Sequence, residues 1–138
     1  MNEGTRYLLD THAWLWLAAG DERISLETAS RLERALAEER VFLSQISFWE
    51  LAMKEAKGKL MFNRPLDIWL KENSSGIGLL DIPVEVAIDA TRLPGEFHKD
   101  PAGRIIVATA RHHGLTLVTG DGLILAYGEK GHVQVYPV

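Results

Sequence analysis

The chain reads as an α/β protein with a largely parallel sheet, because short β-like runs alternate with segments of helical period along its length. Two further observations make it one domain, residues 1–138. No internal repeat, low-complexity tract or Pro/Gly/Ser-rich linker divides the 138 residues, and a hydrophobic share of 46% suffices for one core.

Tyr7-Leu8-Leu9 is the first buried strand, running into a helix that carries Trp14, Leu15 and Leu17. Leu26, Ala29, Leu32 and Leu36 recur at helical spacing with acids and arginines between them. Val41-Phe42-Leu43 is a second strand. Ser44 or Ser47 then caps a helix whose apolar stripe is Ile46, Trp49, Met53 and Ala56, and Gly58 ends it. Pro65 opens a short helix through Trp69 and Leu70, and the stretch 77–82 holds a third strand before a helix carrying Val84, Ala87, Ile88 and Thr91. Asp100-Pro101 is a strong helix start, with proline at the first helical position, and Gly114 is the stop. A fourth strand over 115–119, a short helix from about Gly122 to Tyr127 and a last strand over 133–136 complete the chain.

Composition narrows the chemistry. With no cysteine there is no disulfide, thiolate metal site or cysteine nucleophile, so any metal must use oxygen or imidazole. The first six residues are polar, and the run 7–19 is broken by Asp10, Thr11 and His12, so it is neither a signal h-region nor a membrane span; the expected location is the cytoplasm. A formal charge of −4 argues against a general basic coat for nucleic acid, and a nuclease must then rely on bound cations and a few placed basic groups.

In open α/β sheets ligands bind beyond the carboxyl ends of the strands. Asp10 follows the first strand and Asp121 follows the fourth; Glu50 lies early in the helix after the second strand, and Asp100 starts the helix before the fourth. Each has a structural reading. Asp10 and Asp100 suit N-caps, Asp121 in Gly120-Asp121-Gly122 suits a turn, and Glu50 would complete a capping box with Ser47. Jointly they say more, because four carboxylates in one cleft repel unless protons or cations compensate them. A hard divalent ion does so: Mg²⁺ and Mn²⁺ prefer oxygen ligands and keep several waters.

Four segments here resemble the PIN domains, most closely the VapC-like toxin ribonucleases of type II toxin-antitoxin systems. They are Tyr7-Leu8-Leu9-Asp10-Thr11-His12-Ala13; residues 44–52 from Ser44 to Ala52 with the trailing Lys57-Gly58-Lys59-Leu60; residues 98–110 from His98 to Ala110; and residues 114–121 from Gly114 to Asp121. The resemblance covers nearly the whole chain, in the right order at the right intervals. It implies a PIN-like three-layer sandwich with a central, mostly parallel sheet of four to five strands flanked by helices. It also implies a metal-dependent endoribonuclease hydrolysing RNA phosphodiester bonds with one or two Mg²⁺ or Mn²⁺ ions, a VapB-like antitoxin partner and a homodimer. The catalytic and metal-holding residues would be Asp10, Glu50, Asp100 and Asp121, supported by Thr11, His12, Ser47, Arg104 and Thr119. One departure stands out. The family's Asp-Pro-x-Asp-Arg motif has a second acid where this chain has Gly103, so either Asp100 stands in or the site is weakened.

Other residues carry two readings each. Thr11 and Thr119 offer hydroxyls to metal-bound waters or to caps and strand ends. Arg104, one turn into the helix that Asp100 starts, suits a phosphate or an ion pair. Lys54, Lys57 and Lys59 suit a basic rim or a solvated helix face. His12 is an RNA contact or a hydrogen-bonded helix-start histidine. Adjacent His112 and His113 point apart and lack zinc-pair spacing. Trp49 and Trp69 read as core or dimer interface before base-stacking platforms, and Trp14 and Trp16 face different sides of their helix. A haloacid-dehalogenase-type phosphatase needs an acid where His12 stands, a receiver domain needs a late-strand lysine that 115–122 lacks, and no glycine-rich phosphate loop is present. The alternative of another class is a PIN-fold RNA- or protein-binding module that no longer cleaves, and Gly103 keeps it open.

Overall fold

In a computed structural model that describes residues 4–97 and 100–138, five parallel strands lie in the order β3-β2-β1-β4-β5. The strands are β1 (Tyr7–Leu9), β2 (Val41–Ser44), β3 (Gly78–Leu80), β4 (Thr116–Thr119) and β5 (Val135–Pro137). The helices are α1 (Thr11–Ala19), α2 (Leu26–Ala37), α3 (Ile46–Ala56), α4 (Leu66–Asn73), α5 (Val84–Thr91), α6 (Pro101–His113) and α7 (Gly122–Glu129). His98 and Lys99, part of the third matching segment, and residues 1–3 lie outside the described residues.

Alternation along the strands builds two cores, one on each sheet face. Leu8 and Leu117 point into a cluster with Val86 and Ala90 of α5, Ile106 and Val107 of α6, and Ile124 and Tyr127 of α7. Tyr7, Leu9, Val41, Leu43 and Val118 point the other way, against Ala13 and Trp14 of α1 and Leu32 and Ala35 of α2, with Trp69 and Leu70 of α4 packed on the rim. The result is the expected three-layer α/β sandwich, its sheet parallel throughout. Trp14 is fully buried and its indole N–H donates to the Asn73 carbonyl at 2.9 Å, tying α1 to α4. Gly78 lets β3 approach β2: a Cβ there would stand 2.6 Å from the Phe42 ring.

Helix α3 departs from expectation. Its buried residues are Ser47, Glu50 and Leu51, while Trp49 is 52% exposed and Ala56 is exposed; of the apolar stripe read from the sequence, Ile46 alone packs against the core. A polar pair faces inward because polar partners meet it there, the Thr11 hydroxyl of α1 for Ser47 and the Lys54 ammonium for Glu50. The cap differs too. Gln45 holds the N-cap position in helical conformation without a side-chain cap bond, and the Ser44 hydroxyl accepts from Ile46 N–H at 3.2 Å. Ser47 lies inside the helix.

Strand order reverses at β1, since β2 and β3 lie on one side of it and β4 and β5 on the other. This switch point, between the carboxyl ends of β1 and β4, is where an open parallel sheet leaves a crevice. No helix of the described residues is long and apolar enough to cross a membrane.

Candidate active site

Two acids stand at the switch point, each placed by the helix it caps. Register pairs Leu9 with Val118, and one step further the Asp10 N–H donates to the Val118 carbonyl at 3.1 Å, so β1 and β4 separate just past Asp10 and Thr119. Asp10 Oδ1 accepts from Ala13 N–H at 2.7 Å and caps α1; Asp121 Oδ1 accepts from Leu123 N–H at 2.8 Å and Ile124 N–H at 3.3 Å and caps α7. Thr119 joins them. Its buried hydroxyl donates to Asp10 Oδ2 and accepts from Asp121 N–H at 3.0 Å. The positive ends of α1 and α7 therefore face two carboxylates, which offsets part of their repulsion.

Asp10 is 6% exposed, and burial pushes its carboxyl above the ordinary 3.8, with the charge of Asp121 pushing the same way. The Thr119 and Ala13 hydrogen bonds and nearby His12 pull it back down. A buried acid held against another acid is a group that gains from a cation.

Glu50 is buried on α3, which packs against α1. Its neighbour in the buried face, Ser47, shares a hydrogen bond of 2.8 Å with Thr11, so the two hydroxyls lock α3 against α1; both residues are buried and unavailable to RNA. The capping box is not formed. Glu50 Oε2 instead faces Lys54 Nζ at 3.5 Å, and Lys54 Nζ also meets exposed His12 Nε2 at 3.1 Å. The sequence left Lys54 between a basic rim and a solvated helix face; the missed signal is its position four residues after Glu50, which brings the two onto one face.

Asp100 caps α6, accepting from Gly103 N–H at 3.3 Å, and is exposed, while Gly103 is buried in the first turn. Because α6 runs back to feed β4, its start lies at the carboxyl edge of the sheet with the other acids. Arg104, read from the sequence as a phosphate contact or an ion-pair partner, also serves the fold: Nε donates to the Ala90 carbonyl at 2.7 Å and Nη1 to the Phe97 carbonyl at 3.3 Å, stitching α6 to the end of α5. Among the described residues, no three His, Cys, Asp or Glu side chains already converge on one ion position. The donor set still fits a hard, hydrated divalent ion, since Mg²⁺ often takes one or two carboxylates and fills its shell with water and phosphate. Asp10 and Asp121 are such a pair.

The PIN-domain pattern matches residues 7–130 of the chain. The chain belongs to the PIN-domain family. Over 132 residues, 96% of this PIN chain and 99% of the relative, it is 32% identical to Ribonuclease VapC22 of Mycobacterium tuberculosis, which makes it VapC-like. Solved structures share the fold. A chain in DNA-bound VapBC from Salmonella typhimurium superposes with a TM-score of 0.72 at 17% identity, covering 96% of this chain and 98% of that one. A chain in VapBC2 from Rickettsia felis, bound to a promoter DNA fragment, gives 0.72 at 15% identity, covering 96% and 98%.

Proposed function

We propose that this PIN-domain chain is an endoribonuclease, the toxin of a toxin-antitoxin pair, hydrolysing RNA phosphodiester bonds with Mg²⁺ or Mn²⁺. The observation that carries the reading is the pair Asp10 and Asp121, joined through Thr119 at the switch point of the sheet. Similarity to a ribonuclease over nearly the full chain supports the reaction, and the toxin-antitoxin complexes among the structural neighbours support an antitoxin partner.

Asp10 and Asp121 would hold the ion, with Asp100 at the start of α6 available from the same edge. A divalent ion bound there supplies charge to stabilise a phosphate oxygen and acidity to lower the pKa of water. Thr119 fixes the rotamer of Asp10 and so keeps the two acids at a constant separation. Glu50, paired with Lys54, would serve as a proton acceptor for the attacking water. Exposed His12, Lys57 and Lys59 offer contacts to the RNA strand. The outward stripe of α3, with exposed Trp49 and the half-buried Met53, suits a homodimer interface.

Gly103 and, among the described residues, the lack of a preformed three-acid group favour a second reading, a PIN-fold module that binds RNA or protein without cleaving. Cleavage of single-stranded RNA in Mg²⁺ or Mn²⁺, against EDTA and Asp10→Ala, separates the two. An enzyme loses product formation in both controls; a binder makes no product in any of them and retains its effect in D10A.

A further inference from the structure

The two tryptophans of α1 face different sides of their helix, and the fold uses them differently. Trp14 is fully buried in the core, whereas Trp16 is half-buried and stands at the switch point. A Cβ on Gly120 would lie 3.0 Å from Trp16 Cζ3 and 3.1 Å from Cη2, so the indole rests on the backbone immediately before Asp121. His12, one helical turn earlier, shares this face of α1 and sets an exposed ring 6.0 Å away, tilted by 43°. The charge of His12 acts on Asp10, which ties this face to the first acid as Gly120 ties it to the second.

A cation completes the group. Left-handed Gly20 ends α1, and the chain folds back so that Asp21 N–H donates to the Trp16 carbonyl at 2.9 Å. The Asp21 carboxylate accepts from Arg23 N–H at 2.9 Å, a turn that lays the Arg23 guanidinium over the Trp16 ring, 4.8 Å from its centroid. Buried Ile24 anchors the turn. Arg23 nonetheless keeps 61% of its side chain exposed, with Asp21 Oδ1 at 3.6 Å from Nε. A planar cation lying on an aromatic ring and open on its far side is a layer to which a nucleobase adds, since bases stack on aromatic rings and guanidinium planes alike. In a chain of formal charge −4, a cation placed this near the acids matters for holding RNA.

We propose that Trp16 and Arg23 form a nucleobase subsite beside the Asp10–Asp121 pair, where one unpaired base of single-stranded RNA stacks on Arg23, extends the Trp16 layer and so places the strand against the acids. The inference rests on the reading of RNA as the substrate. Duplex RNA, whose bases are already stacked on one another, cannot fill such a subsite, so the preferred substrate is a single strand or a loop.

The test is binding of a short, unstructured, labelled RNA to the full chain in Ca²⁺, followed by fluorescence anisotropy, with electrophoresis to verify that the strand stays intact. Trp16→Leu weakens binding roughly tenfold, as loss of one base stack requires, and Trp16→Phe, which keeps a ring, roughly threefold or less. Arg23→Met weakens binding roughly fivefold and, being on an exposed side chain, carries the test should W16L fail to fold. Arg23→Lys keeps the charge without the plane and stays as weak as R23M. In an abasic scan of the same RNA, one position costs the native chain roughly tenfold and costs W16L or R23M almost nothing. Native affinity in W16L or R23M, full rescue by R23K, which assigns the cation to a phosphate, or one abasic profile shared by native and variant chains overturns the proposal while leaving the ribonuclease reading standing. A native chain that binds no RNA sinks the proposal and that reading together.

Discussion

Thr119→Val removes one oxygen at almost constant volume and so tests how the two central acids are held. The hydroxyl is fully buried, donates to the Asp10 carboxylate and accepts the Asp121 amide, so its loss breaks a bond to a charged group and orphans a backbone N–H. The first is worth about 1.5–3 kcal/mol and the second about 1 kcal/mol. A deficit of about 3 kcal/mol follows, which for a domain of this size lowers Tm by roughly 10 °C. Thr119→Ser keeps the oxygen and loses a methyl, which costs about 1 kcal/mol. Thermal and urea unfolding in EDTA at neutral pH compares the three chains.

Acid supplies a second, independent readout. Burial lifts the Asp10 carboxyl above 3.8 in the folded chain, and the Thr119 bond is the largest influence pulling it down. With the folded pKa above the unfolded one, the native state retains a proton that the unfolded state releases. Stability therefore falls as pH climbs from 3.8 through the folded value, then levels. Removing the hydroxyl raises the folded value further, so the T119V deficit is full at neutral pH and narrows on acidification as Asp10 becomes protonated in both chains. A T119V no less stable than T119S, or a deficit indifferent to pH, refutes the idea that Thr119 stabilises an ionised Asp10.

Three further outcomes are expected. Gly103→Asp, in the buried first turn of α6, tightens Mn²⁺ binding by roughly tenfold, about 1.4 kcal/mol, in calorimetry and raises RNA cleavage; a clean, active preparation with no gain means that Asp100 already fills the role. Arg104→Met loses the bonds to the Ala90 and Phe97 carbonyls and costs about 2 kcal/mol in urea unfolding with Mn²⁺ affinity unchanged; native stability with tenfold weaker RNA binding would return this residue to the phosphate. Gly78→Ala forces a methyl into the Phe42 ring and lowers stability by about 1–3 kcal/mol, and an unchanged urea midpoint would show that the ring moves aside freely.

What the sequence disclosed and what it withheld divide along a physical line. Order and type of the elements follow from local periodicity and from punctuation such as Asp100-Pro101 and the left-handed Gly114, and these were legible to within a few residues. The direction a helix faces is a tertiary matter. On α3 most of the apolar stripe turns outward and Ser47 and Glu50 turn in, because the hydroxyl of Thr11 and the ammonium of Lys54 wait there, 36 residues back and one turn on respectively. The carbonyl partners of Arg104 were hidden for the same reason: nothing near it in sequence announces that the Ala90 and Phe97 carbonyls lie within its reach.

The acids were legible for a reason that dissolves a choice the sequence had posed. A structural role and ion binding looked like rival explanations, a cap for Asp10 and a turn for Asp121, yet both residues cap, and through a single oxygen: Oδ1 of Asp10 on the Ala13 amide, Oδ1 of Asp121 on Leu123 and Ile124. A carboxylate bound through one oxygen has a fixed rotamer, and the helix end behind it lowers the repulsion that gathering acids creates. The cap is thus the device that makes an acidic pair affordable before any cation arrives. A site built this way keeps its geometry when the ion leaves, and stripping metal from the chain should cost stability only through lost ligand linkage, with no collapse of α1 or α7.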